Sequence, residues 1–446
     1  MSDAATSWTV SPGLLRVAER AKRHPDVKML ALAHHIDVPA LERAHRGLRK
    51  DAAVGVDGVT VEAYGERLVE NLQALRARMK AGQYRHQPIR RVNIPKDNGA
   101  VRPIGISTVE DKIVQSALTD VLEAIYEQDF LDCSYGFRPG RGAHDAIRAL
   151  NGVIDRGDAN YIVEADIVSF FDSIDRKVLM EMLRDRIADE TLMRLVGKCL
   201  HVGILDGERY LEPAEGTAQG SVLWPLLGNI YLHHVLDVWF QREVQPRLRG
   251  RSALVRYADD FVICFQHEED AARVWKVLAA RFEKYGLTLH PKKTRRFSFR
   301  APHDGDDSGG ETFDFLGFTA HWRRTRHGMQ RVAFRTRGAR LRRAIKAVYE
   351  WCRRHRHHPV EKQHLALTRK LNGHYNYYGV NGNSEALQKM RYRAARAWRT
   401  WLNRRSQRAR MNWKRFGELL RRFPLPAVRV RVQIWGSRQL TLRFQP

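Results

Sequence analysis

The sequence predicts an α+β chain: a central sheet carrying an acidic hairpin, helical segments before and after it, and a short β-hairpin at the C-terminus. Three observations predict it. Two apolar runs, Ala253-Leu254-Val255 and Phe261-Val262-Ile263, flank Tyr257-Ala258-Asp259-Asp260 and read as buried strands joined by a tight turn. Apolar residues at helical spacing dominate residues 12–85 and return over 339–422. From Ala427 to Phe444 the pattern changes to alternation. Val428, Val430, Val432 and Ile434 form one arm, Gly436-Ser437 the turn, and Leu440, Leu442 and Phe444 the other.

The elements follow in order. Helices are expected over Pro12–His24, Leu30–His35, Pro39–Lys50 and Val61–Lys80, the last with Leu68, Leu72, Leu75 and Met79 on one face. Gly55-Val56-Asp57-Gly58 makes a turn between them. Ile89–Pro95 and Val101–Ile104 read as strands around the hairpin signal Asp97-Asn98-Gly99. A helix follows over Val109–Tyr126, and from about 160 to 320 strands alternate with helices. The Gly/Asp-rich stretch Asp304–Gly310 reads as a loop, and the C-terminal helical pattern breaks near Gly373–Asn383.

Charge divides the chain in two. The net charge is +27, yet residues 321–446 hold 33 Lys and Arg against 4 Glu and no Asp, whereas 1–320 hold 44 against 46 acids. A near-neutral body with a strongly basic appendage is the electrostatic signature of nucleic-acid binding. Six of the ten tryptophans (322, 351, 398, 401, 413 and 435) lie in the basic part, as core or as surfaces for stacking on bases. His355, His357 and His358 read as part of its solvated face. Cys133, Cys199, Cys264 and Cys352 are scattered with no Cys-x-x-Cys, against structural zinc or a disulfide framework. No window is apolar enough for a membrane span, and the N-terminus lacks a signal-peptide layout, so a cytoplasmic protein with no membrane partner is expected.

The acids carry the chemistry. Asp259 and Asp260 alone also suit a surface turn, but Asp166 ends a second β-branched run, Tyr161-Ile162-Val163-Glu164-Ala165, 93 residues earlier in the chain than Asp259. Buried carboxylates are costly unless paired or holding a metal. Carboxylates meeting at a strand end and a neighbouring hairpin suit two Mg²⁺ ions, with Mn²⁺ as a substitute, and such ions stabilise the attacking and leaving oxygens of a phosphoryl transfer.

Nine boxes in order now resemble the reverse transcriptase/maturases encoded by bacterial group II introns. They are Val56–Thr60, Ile94-Pro95-Lys96 with Val101–Ile106, Tyr135–Arg141, Ala165–Asp172, Gly216–Ser221, Leu226–Leu232, Tyr257–Asp260, Leu289–Thr294 and Phe313–Phe318. Gly373–Gly379 also resembles the signature of the family's thumb, or maturase, domain. The resemblance implies a right-hand polymerase: fingers and palm with an antiparallel catalytic sheet, an α-helical thumb, and the short C-terminal hairpin. It divides the chain into 1–85 (N-terminal extension and start of fingers), 86–160 (fingers), 161–320 (palm, with finger elements around 176–215), 321–338 (connector), 339–422 (thumb/maturase) and 423–446 (basic hairpin tail).

The resemblance also implies roles. Asp166 and Asp259 ligate both metals, with Asp260 more peripheral and the carbonyl of Ile167 a further ligand. Lys96 and Arg102 grip the dNTP triphosphate, one as a point charge and one as a bidentate fork, although a solvated strand end also suits Lys96. Phe171 lies beneath the incoming sugar and excludes a 2′-hydroxyl, while Phe170 points into the core. Gln219 packs against the nucleotide, and Gly220 permits close backbone approach. Arg138 touches template or nucleotide phosphate, and Tyr257 belongs to the primer and template contacts. Lys293 matches the lysine that closes on the primer or assists the leaving group, though a plain backbone contact suits it nearly as well.

Two departures stand out. Ala218 replaces the family's usual Pro, and Trp224 replaces the usual Ser before Pro225-Leu226-Leu227, adding apolar volume near Gln219 where overpacking costs about 1–3 kcal/mol. With no His/Asn nuclease motif after the thumb, the chain resembles the endonuclease-lacking subset. The expected partners are an RNA template such as group II intron RNA, a DNA primer or target, and dNTPs, for a monomer or homodimer. Competing readings are a domesticated enzyme of host defence or repair, and a maturase with weak polymerase activity. An unrelated two-metal nuclease or cyclase would explain the acids but not the order of the boxes.

Overall fold

The computed structural model describes residues 11–95, 101–157, 159–206, 209–211, 220–302, 310–325, 328–406 and 411–435. The chain begins with helices α1 (Pro12–Arg23), α2 (Val38–Gly47), α3 (Val61–Gly65) and α4 (Leu68–Lys80), followed by strands β1 (Ile89–Pro95) and β2 (Val101–Ile106). Then come α5 (Val109–Asp129), α6 (Ala143–Asp155), β3 (Tyr161–Ala165), α7 (Phe170–Ser173), α8 (Arg176–Arg186), α9 (Glu190–Leu200), β4 (Ile204–Asp206), β5 (Arg209–Leu211) and α10 (Trp224–Leu232). The acidic hairpin is β6 (Ser252–Tyr257) and β7 (Asp260–Phe265), followed by α11 (Glu268–Glu283) and β8 (Arg295–Ser298). Strands β9 (Phe313–Phe315), β10 (Phe318–Arg324) and β11 (Gln330–Thr336) lead into α12 (Gly338–Arg354), α13 (Val360–Tyr378), α14 (Ser384–Leu402) and α15 (Trp413–Arg422).

Helix starts follow the side-chain caps in the sequence. Ser11, Asp37, Thr108, Asp175 and Asp189 each accept a hydrogen bond from a backbone N–H in the first turn of α1, α2, α5, α8 and α9. Two expected helices differ. Leu30–His35 forms only a 3₁₀ turn, Ala33–His35, because Ala31 is left-handed (φ 50°) and the carboxylate of Asp189 takes the N–H groups of Leu32 and Ala33 at 2.5 and 2.8 Å. Val61–Lys80 breaks at Glu66–Arg67 into α3 and α4, and Asn71 donates across the break to the Tyr64 carbonyl at 3.0 Å.

Three sheets result. The first has the order β2-β1-β4-β5, the central one β6-β7-β3-β8, and the third β11-β10-β9. All central pairs are antiparallel. Strands β3, β6 and β7 of this sheet are buried on both faces, which explains their apolar runs, whereas the edge strand β8 is largely exposed. Phe261, Ile263, Phe265, Val163 and Leu254 enter one core with α5, whereas Val262, Cys264, Ile162 and Val255 enter a second with α6 and the third sheet. A third core lies among α12–α15 around Trp398, Leu367 and Leu371.

The expected connector 321–338 is corrected: its boundary falls inside β10, whose alternating Phe318 and Ala320 belong to the second core, and β11 pairs along the whole of β10. The C-terminal break is also shorter than expected. Gly373 sits inside α13 with open space around it, and the chain turns only over residues 379–383. No strand element forms over 427–435; this arm runs beside the end of α13, with Val432 paired in parallel to Val380. The hairpin's turn and second arm fall outside the described residues. Among the described residues no helix is long and apolar enough to cross a membrane.

Candidate active site

The acids converge at one end of the central sheet. Strand β6 ends at Tyr257 and β7 begins at Asp260, so Ala258-Asp259 is a two-residue turn. On the other side of β7 the last register pair is Ala165–Phe261; one step further brings Asp166 level with Asp260. The carboxyl of Asp260 is open to solvent at its rim yet crowded by protein. That desolvation, with the like charges of Asp259 and Asp166, pushes it up to about 7.

A turn segment delivers a cation to the same place. The His290 N–H donates to the Asp166 carbonyl at 2.8 Å, and Ile167 bridges Leu289. The chain then turns back on the His290 carbonyl, which accepts from Lys293 and Thr294. This pins the Lys293 ammonium 2.6 Å from Asp166 Oδ2, with its side chain 62 % exposed. So open an ion pair is worth about 0–1 kcal/mol and separates easily.

The support beneath the turn is a network the sequence analysis missed. Arg256 and Asp237 are both 0 % exposed, and the guanidinium donates to the two Asp237 oxygens at 2.8 and 2.5 Å. It donates also to Asn229 Oδ1 (2.9 Å), Ser134 Oγ (2.8 Å) and the Ala258 carbonyl in the turn itself (3.1 Å). Asn229 in turn donates to the Gly136 carbonyl at 2.6 Å. Asp237 comes from a π-helical stretch, His233–Asp237, that continues α10. The signal was a charge inside an apolar strand: Arg256 interrupts Leu254-Val255 and Tyr257, and such a residue needs a buried partner.

Packing against the turn is equally close. A Cβ on Gly136 would stand 2.4 Å from the Ala258 nitrogen, so only glycine fits. Ala258, Phe137 and Ser169 are left-handed (φ 56°, 56° and 46°) and all lie in segments bordering the acids. Non-glycine residues in this region cost about 1–3 kcal/mol each and cluster where the surroundings over-determine them. Phe137 is 51 % exposed, its ring 6.3 Å from that of Tyr257.

The remaining expected residues fall as follows. Phe170 is buried as expected, and Phe171 is half-buried beside it, ring centroids 5.1 Å apart, against Gly228. Arg102 occupies β2 opposite Ile94; Lys96, Ala218 and Gln219 lie outside the described residues. Gly220 is left-handed (φ 127°), but the close approach it permits is to the chain itself: a Cβ would stand 2.5 Å from the Gly105 carbonyl oxygen of β2. Trp224 opens α10 with its indole 4 % exposed in the first core. Arg138 is corrected. It is 6 % exposed, and its guanidinium is engaged by Glu127 (3.0–3.2 Å) and by the Leu131 and Ser134 carbonyls (2.8 and 3.0 Å), so it locks the 131–138 loop rather than facing a phosphate.

Among the described residues no three His, Cys, Asp or Glu side chains close on one point as a protein-only cage. Mg²⁺ does not need one: it is held by one or two carboxylates, waters and substrate phosphates. The donor set fits, being oxygen-only with mutually interacting carboxylates and a resident cation in place at Asp166.

Carboxylates gathered at the end of an antiparallel sheet form a site of the kind phosphoryl-transfer enzymes use. Residues 94–320 match the family model described as reverse transcriptase (RNA-dependent DNA polymerase). Protein YkfC of Escherichia coli is 33% identical over 362 residues, 74% of this chain and 90% of that protein. Group II intron-encoded protein LtrA of Lactococcus lactis is 33% identical over 246 residues, 53% of this chain but 40% of LtrA. A 91 kDa protein in the cob intron of Schizosaccharomyces pombe is 36% identical over 189 residues, 42% of this chain and 22% of that protein. The chain belongs to the reverse transcriptase family, in its group II intron reverse transcriptase/maturase branch.

Proposed function

We propose that this chain is an RNA-directed DNA polymerase that binds structured RNA and assists splicing and mobility of a group II intron. The convergence of Asp166, Asp259 and Asp260 on one sheet end, in a chain of this family, carries the reading. The first sheet corresponds to the fingers, the central sheet to the palm, and α12–α15 to the thumb. Two divalent ions, Mg²⁺ or Mn²⁺, when bound supply activation of the attacking oxygen and neutralisation of charge on the leaving phosphates.

The protein's own contribution is placement. Asp166 and Asp259 hold the ions through carboxylate oxygens, with the Ile167 carbonyl as a further ligand and Asp260 at the edge. The Arg256 network and Gly136 keep the turn from shifting, and misplacement by about 1 Å can cost about 10²-fold in rate. Lys96, Arg102 and Gln219 hold the dNTP. Phe171 presents a ring where a ribose 2′-hydroxyl would sit. Lys293 leaves its weak pair with Asp166 and either closes on the primer side or gives its proton to the leaving pyrophosphate. Tyr257, with Phe137 beside it, faces the primer terminus.

The reading is tested by extension of a labelled DNA primer on an RNA template with dNTPs and Mg²⁺. Extension that stops on chelation is expected. No extension on any RNA template, from protein that binds RNA, would leave a maturase alone.

A further inference from the structure

Of the six tryptophans in the basic part, Trp398 is fully buried, with its indole N–H donating to Gln363 at 2.9 Å, and Trp322, Trp351, Trp401 and Trp435 are half-buried. Trp413 differs. It opens α15 and is 53 % exposed, across a groove from Tyr392 of α14, which is 55 % exposed. The groove holds about 280 Å³ and is floored by Ala395, Phe416 and Leu420. Two large exposed aromatics lining one apolar groove are not explained by the third core, which is already closed around Trp398 and Phe416.

The surroundings say what would cover them. Helices α14 and α15 carry nine Lys and Arg against two Glu. Arg399 stacks its guanidinium 4.0 Å from the Trp413 ring centre, and Arg396 stands 5.7 Å from that of Tyr392. Arg391 lines the groove itself, and cations beside both aromatic rings complement a phosphate backbone from which a base has been turned out. A helix from another protein would find the apolar floor, but a rim this basic favours a polyanion.

We propose that the Tyr392–Trp413 groove is a stacking site for an unpaired base of single-stranded or loop RNA, separate from the polymerase site. It rests on the RNA-binding reading above. Gly417 makes the test clean: it lines the groove, and a Cβ there meets nothing within 4 Å. Gly417→Leu therefore fills the slot from a helical position where leucine is the better helix former, without replacing any cation. Trp413→Ala removes the platform instead.

The full-length protein is titrated with a hairpin RNA bearing 2-aminopurine in its loop, and with an all-duplex RNA of equal length. Both variants are expected to bind the loop RNA about tenfold more weakly, the size of one base–aromatic stack, and to lose the change in 2-aminopurine fluorescence. Duplex affinity, the salt slope and primer extension should hold. Unchanged loop binding in both variants overturns the proposal while leaving the polymerase reading intact. Absence of any RNA binding by the parent protein removes both. A dimer that either variant converts to monomer, with loop binding unchanged, assigns the groove to a second copy and overturns the RNA site.

Discussion

Replacing Arg256 by Met would test how the acidic turn is held. Met retains an apolar stem of similar reach but leaves Asp237 charged at 0 % exposure. Removing one partner of such a pair costs about 3–5 kcal/mol, because the other charge stays buried without compensation. Against a typical stability of about 5–15 kcal/mol, that is a large but survivable loss. The Ala258 carbonyl, Asn229 Oδ1 and Ser134 Oγ lose their donor in the same step. Adding Asp237→Leu removes the stranded charge, so the double variant should regain most of the stability. Activity should behave otherwise, because the turn is still unheld at Ala258. Primer extension is expected to stay about 10²-fold low in both variants. Denaturant unfolding and primer extension, run on the parent, the single and the double variant, read the two effects separately. A single variant as stable as the parent would refute the buried-charge argument; a double variant with the parental rate would refute the positioning argument.

Further outcomes follow from the same geometry. Gly136→Ala forces a Cβ against turn backbone at 2.4 Å, so it should cost about 1–3 kcal/mol in unfolding experiments and lower primer extension. Phe171→Ala should raise ribonucleotide incorporation about tenfold or more in single-nucleotide extension; unchanged sugar selectivity would remove Phe171 from the gate. Lys346, Lys389 and Arg393 line an open groove of about 530 Å³ between α12 and α14. Changing all three to Gln should reduce the slope of log affinity against log salt by about 2, and an unchanged slope would place the phosphate contacts elsewhere.

Much of this was legible in the sequence because it depended on local pattern. The doubly buried strands β6 and β7 announced themselves as apolar runs, and the acids between and beside them marked the site. What failed depended on particular side-chain contacts that the residue pattern does not announce. Arg138 reads as a phosphate-binding cation until Glu127, eleven residues earlier on α5, is seen to meet it. The break between α3 and α4 depends on Asn71 reaching back to Tyr64. The strands β10 and β11 were hidden by their charge: Arg323, Arg324, Arg331 and Arg335 gave the region the look of a basic connector, although Phe318, Ala320, Val332 and Phe334 hold it in the second core. The Arg256 network was half visible. The charge in the strand could be read; its partner Asp237, nineteen residues away on a π-helical turn, could not.

The central claim is that the acidic turn is a polymerase site in a protein that also binds RNA through separate surfaces. Asp259→Ala tests it most directly, with primer extension on an RNA template and RNA affinity measured on the same preparation. Loss of DNA synthesis with RNA affinity unchanged is the predicted result. Extension that survives the substitution would contradict the assignment of Asp259, and with it the account of the site.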